Sequence, residues 1–246
     1  MGVTALIPAA GKGSRMRLGR NKLLLPLCGK PVLIHTLEVF EKSAEIVSLV
    51  VACHRDEKEP LSELCSRWGL AKVKHIVEGG EERQDSVLAM LRALGGETEF
   101  VAIHDGARPL LSEEDLLATI EAAHDADGAV LGSPLRDTIK HVGRNGVIIG
   151  TPHREEYWSA FTPQVFRLEK IMEAYEKAAR ESLRTTDDAS IVEHFGGKVV
   201  MVQARHENLK LTTAGDLALC EAVLKERAGN VFKGSLGKES RISNGQ

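Results

Sequence analysis

The sequence has 246 residues, of which 43% are hydrophobic and 27% charged, and its formal net charge at pH 7 is -3. This balance is typical of a globular protein with a substantial core. The net charge excludes a general attraction to nucleic acid or to anionic membranes, so a phosphate site requires locally concentrated cations. No apolar run approaches the roughly 18 residues that span a bilayer. Four cysteines without C-x-x-C spacing indicate reduced thiols in a cytoplasmic protein.

Short apolar runs alternate with helical patterns through the first half of the chain. Predicted strands cover residues 3–8, 46–53, 73–77, 100–104 and 129–133, and predicted helices cover residues 32–42, 58–68, 85–94 and 112–125. The alternation predicts a Rossmann-like α/β fold, with a mostly parallel sheet and helices on both faces. Because ligands of such sheets bind beyond the carboxyl ends of the strands, the loops after residues 8, 77 and 104 form one candidate site.

A hairpin interrupts the alternation after residue 133. Residues 137–142 and 147–151 flank Asn145-Gly146, the dipeptide best suited to a two-residue type I′ turn. No helical pattern covers this protruding hairpin, so it is either a lid on its own subunit or an arm that pairs with a second chain.

The second half of the chain completes one domain. Helices are predicted near residues 168–181, 188–195 and 213–226, with a strand at residues 198–203. We expect a single domain over residues 1–228, with the arm at about residues 136–155. Residues 229–246 have little apolar content and no periodicity, which predicts a flexible tail.

The first predicted strand leads into a loop that combines small residues with cations. Four small residues allow backbone N–H groups to approach a ligand closely: Ala9, Ala10, Gly11 and Gly13. Five cations accompany them: Lys12, Arg15, Arg17, Arg20 and Lys22. The loop fits neither the dinucleotide fingerprint nor the P-loop. It is either a polyphosphate site or a glycine-rich turn with solvated charges.

The loops after the third and fourth predicted strands carry further polar groups. The Gly80-Glu81 segment and Ser86 suit recognition of a base or ribose, although a strand–helix connection alone also requires glycines. Asp105 ends the fourth strand, where a carboxylate suits Mg²⁺ that takes its other ligands from phosphate and water. Arg108 suits a second phosphate, and the alternative is a structural pair with Asp105.

Seven motifs in a fixed order indicate a family. They are PAAGKGSRM with Lys22, then GGEERQDS, HDGARP, RDT, TPQ, TDDAS and NLKLT. This set resembles the 2-C-methyl-D-erythritol 4-phosphate cytidylyltransferases of the non-mevalonate isoprenoid pathway, and the resemblance extends from about residue 3 to about residue 227. G-x-G-x-R-M alone would indicate only the wider nucleotidyltransferase group.

The resemblance implies an enzyme that transfers a cytidylyl group from CTP to methylerythritol phosphate, with Mg²⁺ as cofactor. It implies that Arg15 and Lys22 stabilise the transition state, that Arg154 and Lys210 position the acceptor, and that Asp105 lies near the metal. In the family, Arg154 and the hairpin arm act across a homodimer. The resemblance also implies substrate-binding residues: Ala9, Ala10, Gly11, Gly13, Gly80, Glu81, Ser86, Thr138, Thr162 and Thr186.

Several positions depart from the family pattern. Asn21 and Leu23 flank Lys22 where Pro and Gln are common, Glu81 stands where Asp is frequent, and Gly106 stands where Ala is frequent. Two rival functions stay open. One is a ribitol 5-phosphate cytidylyltransferase on the same scaffold, and the other is a catalytically silent nucleotide-binding module.

Overall fold

The computed structural model describes residues 2–11, 21–95 and 98–239, with side chains described as far as residue 229. Arg15 and Gly13, together with Lys12, Arg17 and Arg20, therefore lie outside the described residues. The strands are β1 Gly2–Pro8, β2 Pro26–Leu27, β3 Lys30–Pro31, β4 Ile46–Cys53, β5 Val73–Glu78, β6 Thr98–Ile103, β7 Gly128–Pro134, β8 His141–Val142, β9 Ile148–Gly150, β10 Trp158–Arg167 and β11 Val199–Gln203. The helices are α1 Val32–Lys42, α2 Lys58–Arg67, α3 Arg83–Arg92, α4 Glu113–His124, α5 Leu168–Glu181, α6 Asp188–His194 and α7 Ala214–Glu239.

Seven strands form the central sheet in the order β11-β7-β10-β6-β1-β4-β5. Neighbours are parallel except at β10, which runs antiparallel to both β6 and β7. The mostly parallel α/β sheet is thus as predicted. Strand β10 was missed by the sequence analysis, because Pro163 breaks its apolar pattern and Pro normally argues against a central strand. Its pairing with β7 shifts register between Ala160 and Gln164, on either side of that proline.

Two hydrophobic clusters cover the two faces of the sheet. Helices α1, α2 and α4 contribute to one cluster, which Phe40 and Leu116 represent. Helices α3, α5 and α6 contribute to the other, which Val87 and Ile171 represent. Adjacent residues of β1 alternate between the clusters, as strand geometry requires, so the sheet is buried on both faces.

The hairpin is present but is smaller than predicted, and its turn is of another type. Strands β8 and β9 pair only with each other among the described residues. Gly146 N donates to Gly143 O, and Gly146 rather than Asn145 has a positive φ, at 79°. The predicted type I′ turn is therefore wrong, since that turn needs positive φ at both central residues. Instead, Asn145 Oδ1 accepts a hydrogen bond from Val147 N.

The last helix also differs from the prediction, because α7 continues to Glu239 rather than ending near residue 226. The low apolar content after residue 229 hid this extension, since sequence periodicity detects helices that bury one face. Within the part of the chain that the structure describes, no helix is long and apolar enough to cross a membrane.

Candidate active site

A cleft of about 290 Å³ opens at the carboxyl ends of β1, β5 and β6. The segments that follow these strands provide most of its walls, as the rule for parallel sheets predicts. The described residues that line it are Pro8, Ala9, Ala10, Gly11, Lys22, Leu23, Gly80, Glu81, Glu82, Arg83, Ser86, Asp105, Gly106, Ala107, Lys210 and Thr212.

One wall of the cleft is a close contact between the loop after β1 and the loop after β5. A Cβ atom added to Gly79 would lie 2.5 Å from Ala10 Cβ and 2.8 Å from Ser86 Oγ, so only glycine permits this contact. Ser86 Oγ accepts from Gly80 N at 3.1 Å and donates to Glu82 O at 3.1 Å. The Ser86 hydroxyl therefore fixes the shape of the loop that bounds the cleft.

Asp105 lies on the floor of the cleft, surrounded by cations. Its Oδ1 accepts from Arg83 Nε at 3.0 Å, and its Oδ2 lies 2.7 Å from Lys210 Nζ and 3.7 Å from Arg108 Nε. Burial by itself raises the pKa of Asp105, but the attraction of Arg83, Lys210 and Arg108 outweighs it and holds that pKa well below its usual value. The carboxylate is therefore ionised at every physiological pH.

The backbone of Asp105 is held by a short chain of buried hydrogen bonds. Asp105 N donates to Thr162 Oγ1 at 3.0 Å, and that hydroxyl lies 3.1 Å from His104 Nδ1. His104 Nε2 faces Arg108 O at 3.1 Å and must donate to it, because a carbonyl only accepts. In the neutral imidazole, which carries its proton on Nε2, His104 Nδ1 accepts from the Thr162 hydroxyl. Burial lowers the pKa of His104 to about 4, in agreement with this assignment.

This buried histidine predicts a pH dependence of stability. The folded pKa of about 4 lies below the model value of 6.5, so the unfolded chain binds the proton first as the pH falls. The contribution of neutral His104 to stability is therefore fully present above pH 6.5 and decreases as the pH falls from 6.5 to about 4. The free energy of unfolding should fall by roughly 3 kcal/mol more in the wild type than in His104→Gln over that interval. Urea unfolding at several pH values measures the difference, and parallel curves would contradict the neutral-imidazole assignment.

A segment near the end of the chain crosses the floor of the cleft. Leu211 N donates to Ala107 O at 2.8 Å, and Lys22 Nζ donates to Leu211 O at 2.8 Å. Asn208 Nδ2 donates to Thr162 O, and Arg108 donates to Asn208 O. These bonds place Lys210 and Thr212 beside residues that are far earlier in the chain.

The structure brings together nine of the predicted site residues in the cleft: Ala9, Ala10, Gly11, Lys22, Gly80, Glu81, Ser86, Asp105 and Lys210. Arg108 and Thr162 do not line it. They are buried behind Asp105, where the Arg108 guanidinium lies over the Phe161 ring and the Thr162 hydroxyl is bonded as described above. Contact of these two residues with substrate therefore stays a prediction.

Three further predicted residues lie outside the cleft as the structure describes it. Thr138 is exposed beside the hairpin, and Thr186 is exposed before α6. Arg154 begins a 3₁₀ turn after the hairpin and donates to Arg136 O at 2.8 Å. None of these three side chains lines the cleft, and their contact with substrate stays a prediction.

Arg83 is the site residue that the sequence analysis missed. It begins α3, lines the cleft, and bonds both Asp105 and the fully buried Asp188. The only sequence signal was an arginine inside the GGEERQDS motif, and nothing in that motif identifies a partner more than a hundred residues away. Because of this separation, the role of Arg83 could not be predicted from the local sequence pattern.

The residues present fit a divalent cation that arrives with a polyphosphate. No group of three or more His, Cys, Asp or Glu side chains that suits a metal occurs among the described residues. Asp105 lines the cleft together with Glu81 and Glu82, and its pKa is held well below the usual value, so its carboxylate is ionised. Mg²⁺ fits such a site because it commonly takes one or two carboxylates and draws its other ligands from phosphate and water.

Comparison with known proteins agrees with this geometry. The sequence model of the 2-C-methyl-D-erythritol 4-phosphate cytidylyltransferase family (IspD) matches residues 3–226. The chain belongs to this family. Its relative of that name from Halalkalibacterium halodurans is 45% identical over 227 residues, which cover 92% of this chain and 99% of the relative. The relative of the same name from Pelotomaculum thermopropionicum is 44% identical and covers 93% of this chain, with 97% of that protein matched.

Solved structures of this cytidylyltransferase family share the fold. The 4-diphosphocytidyl-2C-methyl-D-erythritol synthase of Anaerococcus prevotii superposes with a TM-score of 0.81 at 28% identity, covering 91% of this chain and 96% of that one. The 2-C-methyl-D-erythritol 4-phosphate cytidylyltransferase of Thermus thermophilus gives 0.75 at 32% identity, covering 92% and 100%. The family resemblance read from the ordered motifs is confirmed.

Two departures from the cytidylyltransferase pattern lie against each other. Leu23 is buried, and a Cβ atom added to Gly106 would lie 3.3 Å from Leu23 Cδ1 and 3.1 Å from Leu33 Cδ1. The missing methyl group at Gly106 thus leaves space for the leucine. Asn21 Oδ1 accepts from Leu23 N at 3.0 Å and caps the turn that carries Lys22. The altered neighbours of Lys22 therefore have a defined packing of their own.

Proposed function

We propose that this cleft performs the reaction for which the family is named. The chain is a nucleotidyltransferase that transfers a cytidylyl group from CTP to 2-C-methyl-D-erythritol 4-phosphate and releases pyrophosphate. The observation that carries the proposal is the concentration of three cations, Lys22, Arg83 and Lys210, in the same cleft as Asp105, with Arg83 and Lys210 paired to that carboxylate. Such a cleft suits a triphosphate because it offers fixed N–H groups and cations in a protein of slightly negative net charge.

The nucleotide is assigned to the wall formed by the loops after β1 and β5. Ala9, Ala10 and Gly11 bring backbone groups toward the phosphates, and Gly80 and Glu81 bound the base and ribose. A backbone carbonyl in this wall would accept from the amino group of cytosine and would repel the carbonyl that uracil has at that position. Ser86 supports this selection by holding the loop through Gly80 N and Glu82 O.

The chemistry requires neutralised charge and alignment rather than a general base. The acceptor phosphate is already ionised at neutral pH, and it attacks the α-phosphorus of CTP as the bond to the pyrophosphate oxygen breaks. Lys22, together with Arg15, stabilises the charge that develops on the α-phosphate. Lys210 orients the acceptor. Asp105 would hold Mg²⁺ on the protein side, and the ion would neutralise further charge on the triphosphate.

We further propose that the active unit is a homodimer joined through the hairpin arm. Val142, Val147, Ile148 and Ile149 are each about half exposed or more on this small hairpin. A two-stranded hairpin is marginally stable alone, so an apolar partner surface would stabilise it. Arg154 lies at the base of the arm and outside its own chain's cleft. In a dimer, Arg154 would reach the acceptor site of the second subunit.

The four cysteines are free, which supports a reducing, cytoplasmic location.

Mixing two inactive variants tests this assignment. Lys22→Ala and Arg154→Ala should each be poorly active alone, the second through a raised KM for the acceptor. If Arg154 serves the other subunit, a mixed dimer has one site with both residues intact. Co-refolding equal amounts should then restore roughly a quarter of wild-type pyrophosphate release, since half of the dimers are mixed.

The controls of this experiment separate the alternatives. Each variant refolded alone gives the background, and Arg144→Ala in the exposed turn of the same hairpin should behave as wild type in the mixture. Absence of recovery in mixtures that sediment as dimers would show that Arg154 does not act across the interface. A lower affinity for CTP alone in Arg154→Ala would also contradict the acceptor assignment.

A further inference from the structure

A buried polar network behind the cleft ends on Arg83. The Arg83 guanidinium donates to Asp188 Oδ1 at 2.9 Å and to Asp188 Oδ2 at 2.6 Å, while its Nε donates to Asp105 Oδ1 at 3.0 Å. Tyr175 OH donates to Asp188 Oδ1 at 2.5 Å. Burial opposes the charge of Arg83, but Asp188 and Asp105 outweigh it and keep its pKa above the ordinary value. The guanidinium is thus fixed at both ends.

The outer part of this network is built from residues of TPQ and TDDAS to which no substrate contact is assigned. Gln164, from TPQ, accepts from the backbone N of Asp188 at 3.1 Å and of Ala189 at 3.0 Å. Its Nε2 donates to Asp187 Oδ2 at 2.8 Å. These bonds hold the start of α6, which includes most of TDDAS, against β10. The two motifs therefore support Asp188, which is itself fully buried and has no access to a substrate.

Stability alone does not account for this arrangement. A buried ion pair is often no more stabilising than packed hydrophobic side chains of similar volume. The planar fork of an arginine, in contrast, fixes direction, because each N–H points along a set axis. Because Nη1 and Nη2 of Arg83 each bond Asp188, the direction of its Nε–H is fixed, and it points toward Asp105. The array is thus suited to setting the orientation of the Asp105 carboxylate.

The consequence is that the two oxygens of Asp105 have different surroundings. Oδ1 accepts a hydrogen bond from Arg83, which is anchored. Oδ2 lies 2.7 Å from Nζ of Lys210, whose side chain is 36% exposed, and 3.7 Å from Nε of the buried Arg108, which is beyond hydrogen-bond distance. Lys210 can move without disturbing buried groups, and Arg83 cannot. An incoming cation can therefore displace Lys210 and bind Oδ2, whereas Oδ1 stays bonded to Arg83.

We propose that Arg83, held by Asp188 and Tyr175, is a positioning residue that presents Asp105 Oδ2 to the metal–nucleotide. The proposal rests on the proposed function, in which Asp105 contacts Mg²⁺. Removal of a residue that hydrogen-bonds to a metal ligand typically changes the metal affinity about 10- to 100-fold. Arg83 and Tyr175 would thus affect the affinity for Mg²⁺ without contacting the reacting atoms.

Calorimetric titration with CTP, in EDTA and in excess Mg²⁺, tests the proposal. Arg83→Lys keeps the charge but loses the planar guanidinium, so the affinity for CTP in EDTA should change little. The factor by which Mg²⁺ raises the affinity for CTP, called the gain from Mg²⁺, should fall about tenfold. Tyr175→Phe keeps the buried ring and should reduce that gain roughly threefold. Tyr175→Phe should add little in the Arg83→Lys background, since both act through Asp188. Arg92→Lys, exposed at the other end of α3, is the matched control and should behave as wild type.

The outcomes are distinguishable. If Asp105→Asn abolishes the gain from Mg²⁺ while Arg83→Lys and Tyr175→Phe retain it in full, the positioning proposal fails and the metal assignment survives. If Asp105→Asn also keeps the wild-type gain, the metal assignment of the proposed function fails. Should Arg83→Lys not fold, Tyr175→Phe decides alone. A lower melting temperature with an unchanged gain would show that the network is merely structural.

Discussion

Replacement of Lys22 by alanine should lower kcat by roughly a hundredfold or more while the affinity for CTP changes much less. The reason is that Lys22 is proposed to meet the charge that appears on the α-phosphate only in the transition state. Its side chain lines the cleft and donates to Leu211 O, so its ammonium group is held near the floor rather than in bulk solvent. Steady-state kinetics of pyrophosphate release, combined with CTP titrations, separates the two effects.

Two variants serve as controls for this experiment. Lys42→Ala removes an exposed lysine at the end of α1 that does not line the cleft, and it should leave kcat unchanged. Lys22→Arg keeps the charge and should retain part of the rate. A Lys22→Ala enzyme that turns over at a near wild-type rate would remove this residue from the mechanism.

Replacement of Asp105 by asparagine should have the second large effect, and it should affect both activity and stability. The variant leaves Arg83, Arg108 and Lys210 without the carboxylate that they share, because an uncharged amide cannot compensate three cations. The free energy of unfolding should fall by about 3 kcal/mol. The Mg²⁺ concentration for half-maximal activity should rise about tenfold or more.

Asp125→Asn is the matched control, since Asp125 is an exposed carboxylate after α4 and does not line the cleft. Urea unfolding and a Mg²⁺ titration of activity provide the two measurements. An Asp105→Asn protein with wild-type stability would contradict the charge balance described here. A wild-type dependence on Mg²⁺ would contradict the metal assignment.

Patterns that depend on neighbouring residues were predictable from the sequence. The spacing of apolar residues gave α1 and α5 with the bounds observed, and β4 as well, because these elements bury one face or both faces in a clear period. The rule for parallel sheets then predicted that the loops after β1, β5 and β6 meet. The cleft lies there, and Ala10, Gly80 and Asp105 all line it.

Features that depend on distant partners were not predictable. The pattern of β10 is broken by Pro163, yet the strand is central because β6 and β7 pair with it on both sides. Arg108 looked like a phosphate ligand, but Asn208 and Phe161 bury it behind Asp105. Arg83 carried no signal, since its partner Asp188 begins a helix much later in the chain. Tertiary contacts, rather than local spacing, decide these three positions.

The hairpin shows a different limit. Asn-Gly correctly indicated a turn between two short strands, but the turn type depends on which residues take positive φ. Only Gly146 does so among the residues of this turn, and Asn145 uses its side chain to accept from Val147 N instead. The dipeptide therefore predicts the place of the turn better than its geometry.

The central claim is that this cleft couples CTP to methylerythritol phosphate. Pyrophosphate release measured with CTP, UTP, ATP and GTP, each against 2-C-methyl-D-erythritol 4-phosphate and ribitol 5-phosphate, tests it most directly. We expect release with CTP and the methylerythritol phosphate, and at most weak release with any other pair. Preferential use of ribitol 5-phosphate would contradict the acceptor assignment, and no release with any pair would show a catalytically silent nucleotide-binding protein.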